Sequence, residues 1–286
     1  MEVHEYMVNW KEIPKIDAHI HLLPEDVIDA NQGNGDVFVD FGSAKDYLTL
    51  MKTYHIERAF VMPFNDPCML SMDFKVETVH QNLLQIVRSA SGELQCFADV
   101  DIGNDIDKTI GELERVLKHN AFAGIKLHPT NAGYPIDGSY YDSIFRYAND
   151  RGILVEIHAY PRAHLIDDGC SPSRIKHVLA KYPDLKVSIA HLGGFQYEEL
   201  YGLNAYVNLS SSLPDMVRKL GLVETNKVLR SIGVNRLVFA TDYPDSRSLQ
   251  PMKIYETYCE LLGNMDFTQE EAERICKYNA LRMIGG

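Results

Sequence analysis

The chain has 286 residues, of which 45% are hydrophobic, and a formal net charge of −12 at pH 7. This length suits one α/β barrel of about 250 residues. No linker-like stretch divides the chain, so we expect a single domain over residues 1–286. The negative charge argues against a nucleic-acid partner, because phosphate binding needs basic surface.

Cysteine usage and hydropathy narrow the setting. The five cysteines are scattered, without a Cys-x-x-Cys pair, which predicts reduced thiols rather than disulfides. No apolar run approaches about 18 residues, so no membrane span is expected. The N-terminus lacks the pattern of a signal peptide. We therefore expect a cytoplasmic protein.

Strand-like and helix-like segments alternate along the chain. Apolar, β-branched runs predict eight strands, at residues 15–21, 57–63, 94–101, 122–128, 153–159, 186–192, 205–211 and 236–242. Helical spacing occurs between them, at residues 43–54, 75–91, 105–119, 138–150, 172–181, 214–219 and 223–232. A capping-box pattern opens a last helix over residues 268–284. This alternation predicts a closed (β/α)8 TIM barrel.

The longest irregular stretch follows the first predicted strand. Residues 22–42 carry the turn signal Asn-Gln-Gly-Asn-Gly-Asp between the apolar runs Val27-Ile28 and Val37-Phe38-Val39. This pattern predicts either a rim hairpin that covers the barrel mouth or a simple surface excursion.

Metal-capable side chains recur at the carboxyl ends of the predicted strands. Five of the eleven histidines lie there, namely His19, His21, His128, His158 and His191, and Asp242 ends the eighth strand. In a barrel these ends form one mouth, so residues that are distant in sequence converge. An open doubly wound sheet, the rival fold, gives no reason for this distribution because its ligand site is local.

The first strand carries the clearest metal signal. Alternation places His19 and His21 on the same face, about 6.6 Å apart along the strand. Imidazole nitrogens and a carboxylate suit Zn²⁺, which we expect, and also Mn²⁺, Fe²⁺ or Co²⁺. A pair of core histidines is the alternative for this dipeptide alone, and the other strand ends argue against it.

Several short segments resemble the motifs of the amidohydrolase superfamily. They are Ile16-Asp17-Ala18-His19-Ile20-His21, Gly124-Ile125-Lys126-Leu127-His128-Pro129, Ala190-His191-Leu192-Gly193-Gly194 and Ala240-Thr241-Asp242-Tyr243-Pro244. The resemblance spans the whole chain. It is strongest to the branch that includes aminocarboxymuconate-semialdehyde decarboxylase and various lactone and ester hydrolases.

The resemblance implies a role for each residue of the cluster. His19, His21, His158 and Asp242 would hold one divalent metal ion. His191 would be the acid–base group, for which a neutral imidazole is suited, and Asp242 would take part in catalysis as well as binding. Asp242 could instead cap a helix, but the Tyr-Pro that follows does not begin one cleanly.

Lys126 and His128 leave two interpretations open. Some relatives use a carboxylated lysine on the fourth strand to bridge two metals. We favour Lys126 as a cation behind the site, paired with Glu156 or Asp17, because an unpaired buried charge is costly. His128 is expected to contact substrate rather than metal.

The remaining predicted substrate-binding residues lie on loops at the mouth. Arg162 and Arg247 follow the fifth and eighth strands, and either could hold a carboxylate through a bidentate contact. For both, a solvated surface arginine is the alternative. Phe64 and Tyr160, and also Tyr243, could wall the pocket or simply pack in the core.

These residues predict a metal-dependent hydrolase acting on a small organic acid, ester, lactone or amide through a metal-activated water. The alternative is a metal-dependent, non-oxidative decarboxylase that uses the same barrel site. A barrel that binds a metal or ligand without turnover is a third possibility, disfavoured because a structural site needs no proton-shuttling histidine. We expect a small-molecule substrate and a homodimer.

Overall fold

The computed structural model describes residues 8–102, 105–160, 169–245 and 247–285. Eight parallel strands follow one another around a single sheet in sequence order. They are β1 Lys15–Ile20, β2 Ile56–Val61, β3 Leu94–Ala98, β4 Phe122–Leu127, β5 Val155–Ile157, β6 Val187–Ile189, β7 Tyr206–Asn208 and β8 Leu237–Val238. The predicted (β/α)8 TIM barrel is confirmed.

Backbone hydrogen bonds join the last strand segment to the first and close the barrel. Ala18 N donates to Phe239 O at 3.0 Å, and Asp242 N donates to His19 O at 2.8 Å. The second bond ties Asp242, four residues after β8, to the end of β1. Two of the predicted metal ligands are therefore held together by the main chain.

The strands are connected by helices that carry their apolar faces toward the sheet. The α-helices are α1 Glu25–Asn31, α2 Val37–Phe41, α3 Ala44–Thr53, α4 Val76–Arg88, α5 Ile106–Val116, α6 Pro129–Ala132, α7 Asp142–Arg151, α8 Pro172–Lys181, α9 Ser212–Leu220, α10 Leu222–Ile232, α11 Ile254–Gly263, α12 Gln269–Glu273 and α13 Asn279–Met283. Short 3₁₀ helices lie at Ser139–Tyr141, His191–Phe195, Tyr197–Leu200, Val234–Arg236 and Pro251–Lys253, and Arg274–Tyr278 forms a π-helix between α12 and α13. Among the described residues, no helix is both long and apolar enough to cross a bilayer.

The stretch after β1 does not form the predicted hairpin. Residues 22–42 form two short helices, α1 and α2, instead of a hairpin. The turn signal is real but separates helices, since the Asp36 side chain accepts a hydrogen bond from Phe38 N and caps α2. Val27 and Phe38 pack with Phe64 in a small apolar cluster beside the mouth.

One glycine in the barrel wall is required by close packing. A Cβ at Gly124 on β4 would lie 2.7 Å from the Phe97 ring and 2.6 Å from Leu154 O. The missing side chain lets the Phe97 ring pack beside Phe60, with 5.8 Å between ring centres. This aromatic layer belongs to a buried apolar cluster that also includes Met283 of α13.

Candidate metal centre

The end of β1 and the segment after β8 bring three donor atoms together. His19 Nε2 lies 3.3 Å from His21 Nε2 and 3.2 Å from Asp242 Oδ1. His21 Nε2 lies 3.5 Å from Asp242 Oδ1. Ligands of a tetrahedral zinc ion at its usual bond lengths stand about 3.4 Å apart. The three atoms therefore have the spacing of one face of such a site.

The ends of β5 and β6 add two more imidazoles. His158 follows β5 directly, and its Nδ1 lies 3.1 Å from His191 Nε2. His191 Nδ1 in turn lies 3.7 Å from Asp242 Oδ2. One donor atom each of His19, His191 and Asp242 falls within 4.8 Å of the others, so the predicted acid–base residue His191 also has the spacing of a metal ligand.

The electrostatics of the cluster fit a bound cation. Burial lowers the pKa of His19, His158 and His191 well below the usual value, and it lowers that of His21 to about 3. The imidazoles are thus neutral at pH 7, which is the form that binds metals. Burial, and then the nearby Asp245 charge, raises the pKa of Asp242 to about 8. A divalent ion beside Asp242 would favour its ionised form.

A carboxylate behind the cluster lies in electrostatic contact with the first histidine. Glu156 on β5 places Oε1 2.6 Å from His19 Nδ1 and 3.1 Å from Lys126 Nζ. Ser188 on β6 donates to the other oxygen at 3.2 Å. A carboxylate at Nδ1 favours the proton on that nitrogen, leaving the Nε2 lone pair free for a metal.

Lys126 is paired with Glu156 and not with Asp17. Asp17 instead accepts hydrogen bonds from Thr241 Oγ1 at 2.6 Å and from Tyr255 Oη at 2.7 Å. Of the two predicted partners of Lys126, Glu156 on the neighbouring strand forms the ion pair. The ion pair agrees with Lys126 as a cation behind the cluster, which stays a prediction for its role.

The predicted substrate-binding residues share a cavity of about 710 Å³ with the cluster. Its lining includes Phe64, Lys126, His128, Tyr160 and Arg247 together with His19, His21, His158, His191 and Asp242. Arg162 lies outside the described residues. Tyr243 packs in the barrel wall instead, where it is buried and its hydroxyl donates to Phe41 O at 2.8 Å.

Two contacts shape the cavity wall. The His128 ring stacks on the His158 ring with 3.8 Å between their centres, and His128 Nδ1 accepts a hydrogen bond from Asn131 N. The Arg247 guanidinium lies over the Tyr160 ring, 3.7 Å from its centre. His128 therefore lies beside the cluster, while the stacked Arg247 lies at the exposed rim.

Some residues at the site were not predicted from the sequence. Phe38 on α2 lines the cavity and packs edge-on against His21 and Phe64, with ring centres 5.7 and 4.9 Å away. Asn65 lines the same cavity after β2, and Ser210 contacts His191 from behind. The apolar run around Phe38 was visible and the stretch was considered as a cover of the mouth, but nothing in the sequence singled out Phe38 as a residue of the cavity wall.

Several solved structures share this fold. The chain is 14% identical to 2,6-dihydroxybenzoate decarboxylase from Rhizobium, with a TM-score of 0.68 over 95% of this chain and 98% of that one. It is 14% identical to 5-carboxyvanillate decarboxylase from Novosphingobium aromaticivorans, complexed with manganese, with a TM-score of 0.72 over 99% of each chain. It is also 14% identical to a probable 2-pyrone-4,6-dicarboxylic acid hydrolase from Acinetobacter baumannii, with a TM-score of 0.67 over 96% and 100%. At this identity the likeness shows the fold.

Sequence comparison assigns the family. No match was found among curated protein sequences. A family model described as Amidohydrolase matches residues 16–286, nearly the whole barrel. This match includes the strand ends that carry the cluster of histidines and Asp242. The chain therefore belongs to the amidohydrolase family.

Proposed function

We propose that this protein is a metal-dependent decarboxylase that removes a carboxyl group from a small aromatic or conjugated carboxylic acid. The observation that carries the proposal is the make-up of the 710 Å³ cavity, which sets aromatic walls and a stacked arginine against the His/Asp cluster. The decarboxylase structures of similar fold from Rhizobium and Novosphingobium, each 14% identical to this chain, support it. This is the alternative, not the first choice, among the sequence predictions.

The walls suit a flat substrate. Phe38 and Phe64 pack edge to face in the cavity wall, and Tyr160 also lines the cavity. Aromatic rings offer a large apolar area and prefer stacked or edge-on partners. A conjugated acid presents such a face, and its π-system can accept the electron pair left when carbon dioxide departs.

Arg247 is the proposed carboxylate contact at the mouth. Its guanidinium is stacked on Tyr160 and lines the cavity, so its N–H groups lie at the edge of the stack. A stacked, planar guanidinium binds a carboxylate in a bidentate manner with little loss of freedom. Arg162 is retained as a second proposed contact.

His19, His21, His158 and Asp242 are the proposed ligands of one divalent ion. Such an ion, when bound, acts as a Lewis acid that polarises oxygen atoms of the substrate. Zn²⁺, Mn²⁺, Fe²⁺ and Co²⁺ all suit the nitrogen and carboxylate donors.

The chain's own residues supply the proton. Decarboxylation breaks one C–C bond, leaves the electron pair on carbon and consumes one proton there. His191 and Asp242 both line the cavity, and we assign the proton transfer to these two residues. His128 and Lys126 border the cluster and would contact substrate oxygens.

Hydrolysis is the second candidate. The fold is also that of the probable pyrone dicarboxylic acid hydrolase, at a TM-score of 0.67. The same donors and the same His191 would serve a reaction in which water attacks an ester, lactone or amide carbonyl.

Products distinguish the two reactions. The Mn²⁺- or Zn²⁺-loaded protein is incubated in D₂O with hydroxylated benzoic acids, unsaturated dicarboxylic acids, lactones and esters. Release of carbon dioxide with one deuterium on the product carbon is the expected result. A hydrolysis product without carbon dioxide would replace the first proposal with the second, and the absence of any turnover would favour a non-catalytic barrel.

A further inference from the structure

We propose that Ser210 and Asn208, at the carboxyl end of β7, hold His191 in the tautomer that carries its proton on Nδ1. Ser210 is then a positioning residue for the acid–base group. No site residue was predicted on this strand from the sequence. The effect of Ser210 on catalysis rests on the proposed function, whereas the tautomer of His191 does not depend on it.

The Asn208 side chain is the fixed point of the network. Its Oδ1 lies 3.1 Å from His191 N and 3.3 Å from Ser210 N. Backbone amides only donate, so the atom that faces them is the amide oxygen. Asn208 is completely buried, and this leaves no water to compete for its oxygen.

The Ser210 hydroxyl has one proton, and Asn208 determines where it points. Ser210 Oγ lies 2.6 Å from Asn208 Oδ1 and 2.9 Å from His191 Nδ1. If the hydroxyl donated to His191, two oxygen lone pairs would face each other at 2.6 Å. The hydroxyl therefore donates to Asn208 and accepts from His191, which places the imidazole proton on Nδ1.

A second acceptor points to the same tautomer. The backbone carbonyl of Ser210 lies 3.4 Å from His191 Nδ1. A carbonyl oxygen accepts and never donates, so a lone pair on Nδ1 would oppose it as well. Both atoms of Ser210 that approach the ring thus favour Nδ1–H.

The consequence lies on the other side of the ring. With the proton on Nδ1, His191 Nε2 carries the lone pair and faces His158 Nδ1 at 3.1 Å, inside the cavity that holds the cluster. Tyr160 O lies 2.9 Å from His158 Nε2 and accepts its proton, so His158 also turns a lone pair toward the cluster. The two lone pairs repel each other, and a cation bound at the cluster would offset that repulsion. Ser210 therefore leaves Nε2 as the nitrogen of His191 that takes up a proton and passes it on within the cavity.

Nitrogen NMR tests the tautomer directly. The full-length, Zn²⁺-loaded protein is labelled with ¹⁵N-histidine, and the His191→Asn spectrum identifies the signals of His191. We expect a protonated Nδ1 and an unprotonated Nε2 in the wild type. A wild-type spectrum with the proton on Nε2 would overturn the inference without any variant.

Variants measure the contribution of Ser210. Ser210→Ala removes one hydrogen bond from Nδ1–H and should shift the tautomer ratio by about 10-fold toward Nε2–H. Ser210→Thr keeps the hydroxyl and should restore the wild-type ratio. The matched control is Ser212→Ala, because Ser212 is equally buried and its hydroxyl has no hydrogen-bond partner among the described residues.

The outcomes separate this inference from the proposed function. An unchanged tautomer ratio in Ser210→Ala would refute the positioning role. With a substrate in hand, Ser210→Ala should lower kcat about 10-fold and leave KM unchanged, since Ser210 lies behind the ring and not in the cavity lining. If the tautomer is as expected but neither decarboxylation nor hydrolysis occurs, only the proposed function fails.

Discussion

The two ends of the barrel both bury charged or titratable groups, but they satisfy them differently. At the amino end, Lys15 is fully buried, and its Nζ donates to three carbonyl oxygens, those of Lys11, Ile13 and Tyr54, at 2.6 to 3.0 Å. Each proton of the ammonium group therefore has an acceptor within the protein.

The carboxyl end has an excess of acceptors. Three ligand atoms, those of His19, His21 and Asp242, lie 3.2 to 3.5 Å from one another. Burial disfavours the protonated, charged form of both imidazoles. The amino end is complete without a ligand, whereas the mouth calls for an added cation. Stability should accordingly depend on the amino end of the barrel, and activity on the carboxyl end.

The largest expected effect comes from removing a proposed ligand at the mouth. His158→Ala should abolish metal retention and reduce turnover on the order of 10³-fold or more, because a bound Lewis acid lowers the activation barrier by several kcal/mol. Metal content is measured by mass spectrometry after purification without chelator, and folding by circular dichroism. A fully loaded variant would contradict the ligand assignment.

His191→Asn should separate metal binding from proton transfer. The variant should retain the metal and lose about 10²- to 10⁴-fold in kcat, the usual range for a general acid–base group. Metal content and single-turnover rates are measured on the same sample. Preserved activity would remove the acid–base role of His191, and loss of the metal would make it a ligand instead.

Lys15→Met tests the amino end. The substitution leaves three carbonyl oxygens without their donor, that of Ile13 buried and those of Lys11 and Tyr54 partly buried. We expect the free energy of unfolding to fall by about 3 kcal/mol or more. Metal content per folded molecule should not change. Lys11→Met is the control, because Lys11 is an exposed neighbour whose change should cost less than about 0.5 kcal/mol. Urea unfolding of the three proteins gives the comparison.

Glu156 connects the cluster to the barrel wall. Glu156→Gln keeps the size of the side chain but weakens its contacts with His19 Nδ1 and Lys126, and it should reduce metal affinity about 10- to 100-fold. Ser188→Ala removes only one hydrogen bond to Glu156 and should give a smaller change in the same direction. Competition with a chelator of known affinity measures both. Equal affinities for all three proteins would show that the carboxylate does not support the site.

The fold was readable from the sequence because parallel strands are buried on both faces. Their continuous apolar runs predicted all eight strands, although β5 to β8 are only two or three residues long and end earlier than expected. The chain leaves the sheet before it reaches His191 and Asp242, so these residues lie beyond the ends of β6 and β8. His191 and Asp242 have left-handed backbones, with φ of 58° and 68°.

The site was only partly readable, for reasons that are local. The histidines and Asp242 stood out because such side chains rarely end an apolar run. Ser210 and Asn208 gave no signal, since short polar residues after a strand are typical of turns. Helix α11 was missed altogether, yet its Tyr255 donates a hydrogen bond to Asp17 beside the cluster.

The smallest expected effect concerns Asp99, a buried carboxyl at the end of β3 that lies outside the metal cluster. Burial raises its pKa from 3.8 to about 6, against a hydrogen bond from Asn65. The folded protein therefore holds this proton more tightly than the unfolded chain, so the stability contributed by Asp99 falls as pH rises from about 4 to 6 and stays lost above pH 7.

Asp99→Asn removes that ionisation, and the variant should be more stable than the wild type by on the order of 1 to 2 kcal/mol at pH 8. The difference should shrink toward pH 5, where Asp99 is largely protonated. Other titrating groups cancel when the two proteins are compared by urea unfolding at each pH. A difference that stays constant from pH 5 to 8 would mean that Asp99 acts through packing rather than charge. The stability gain would then say nothing about the charge of the buried carboxyl at the end of β3.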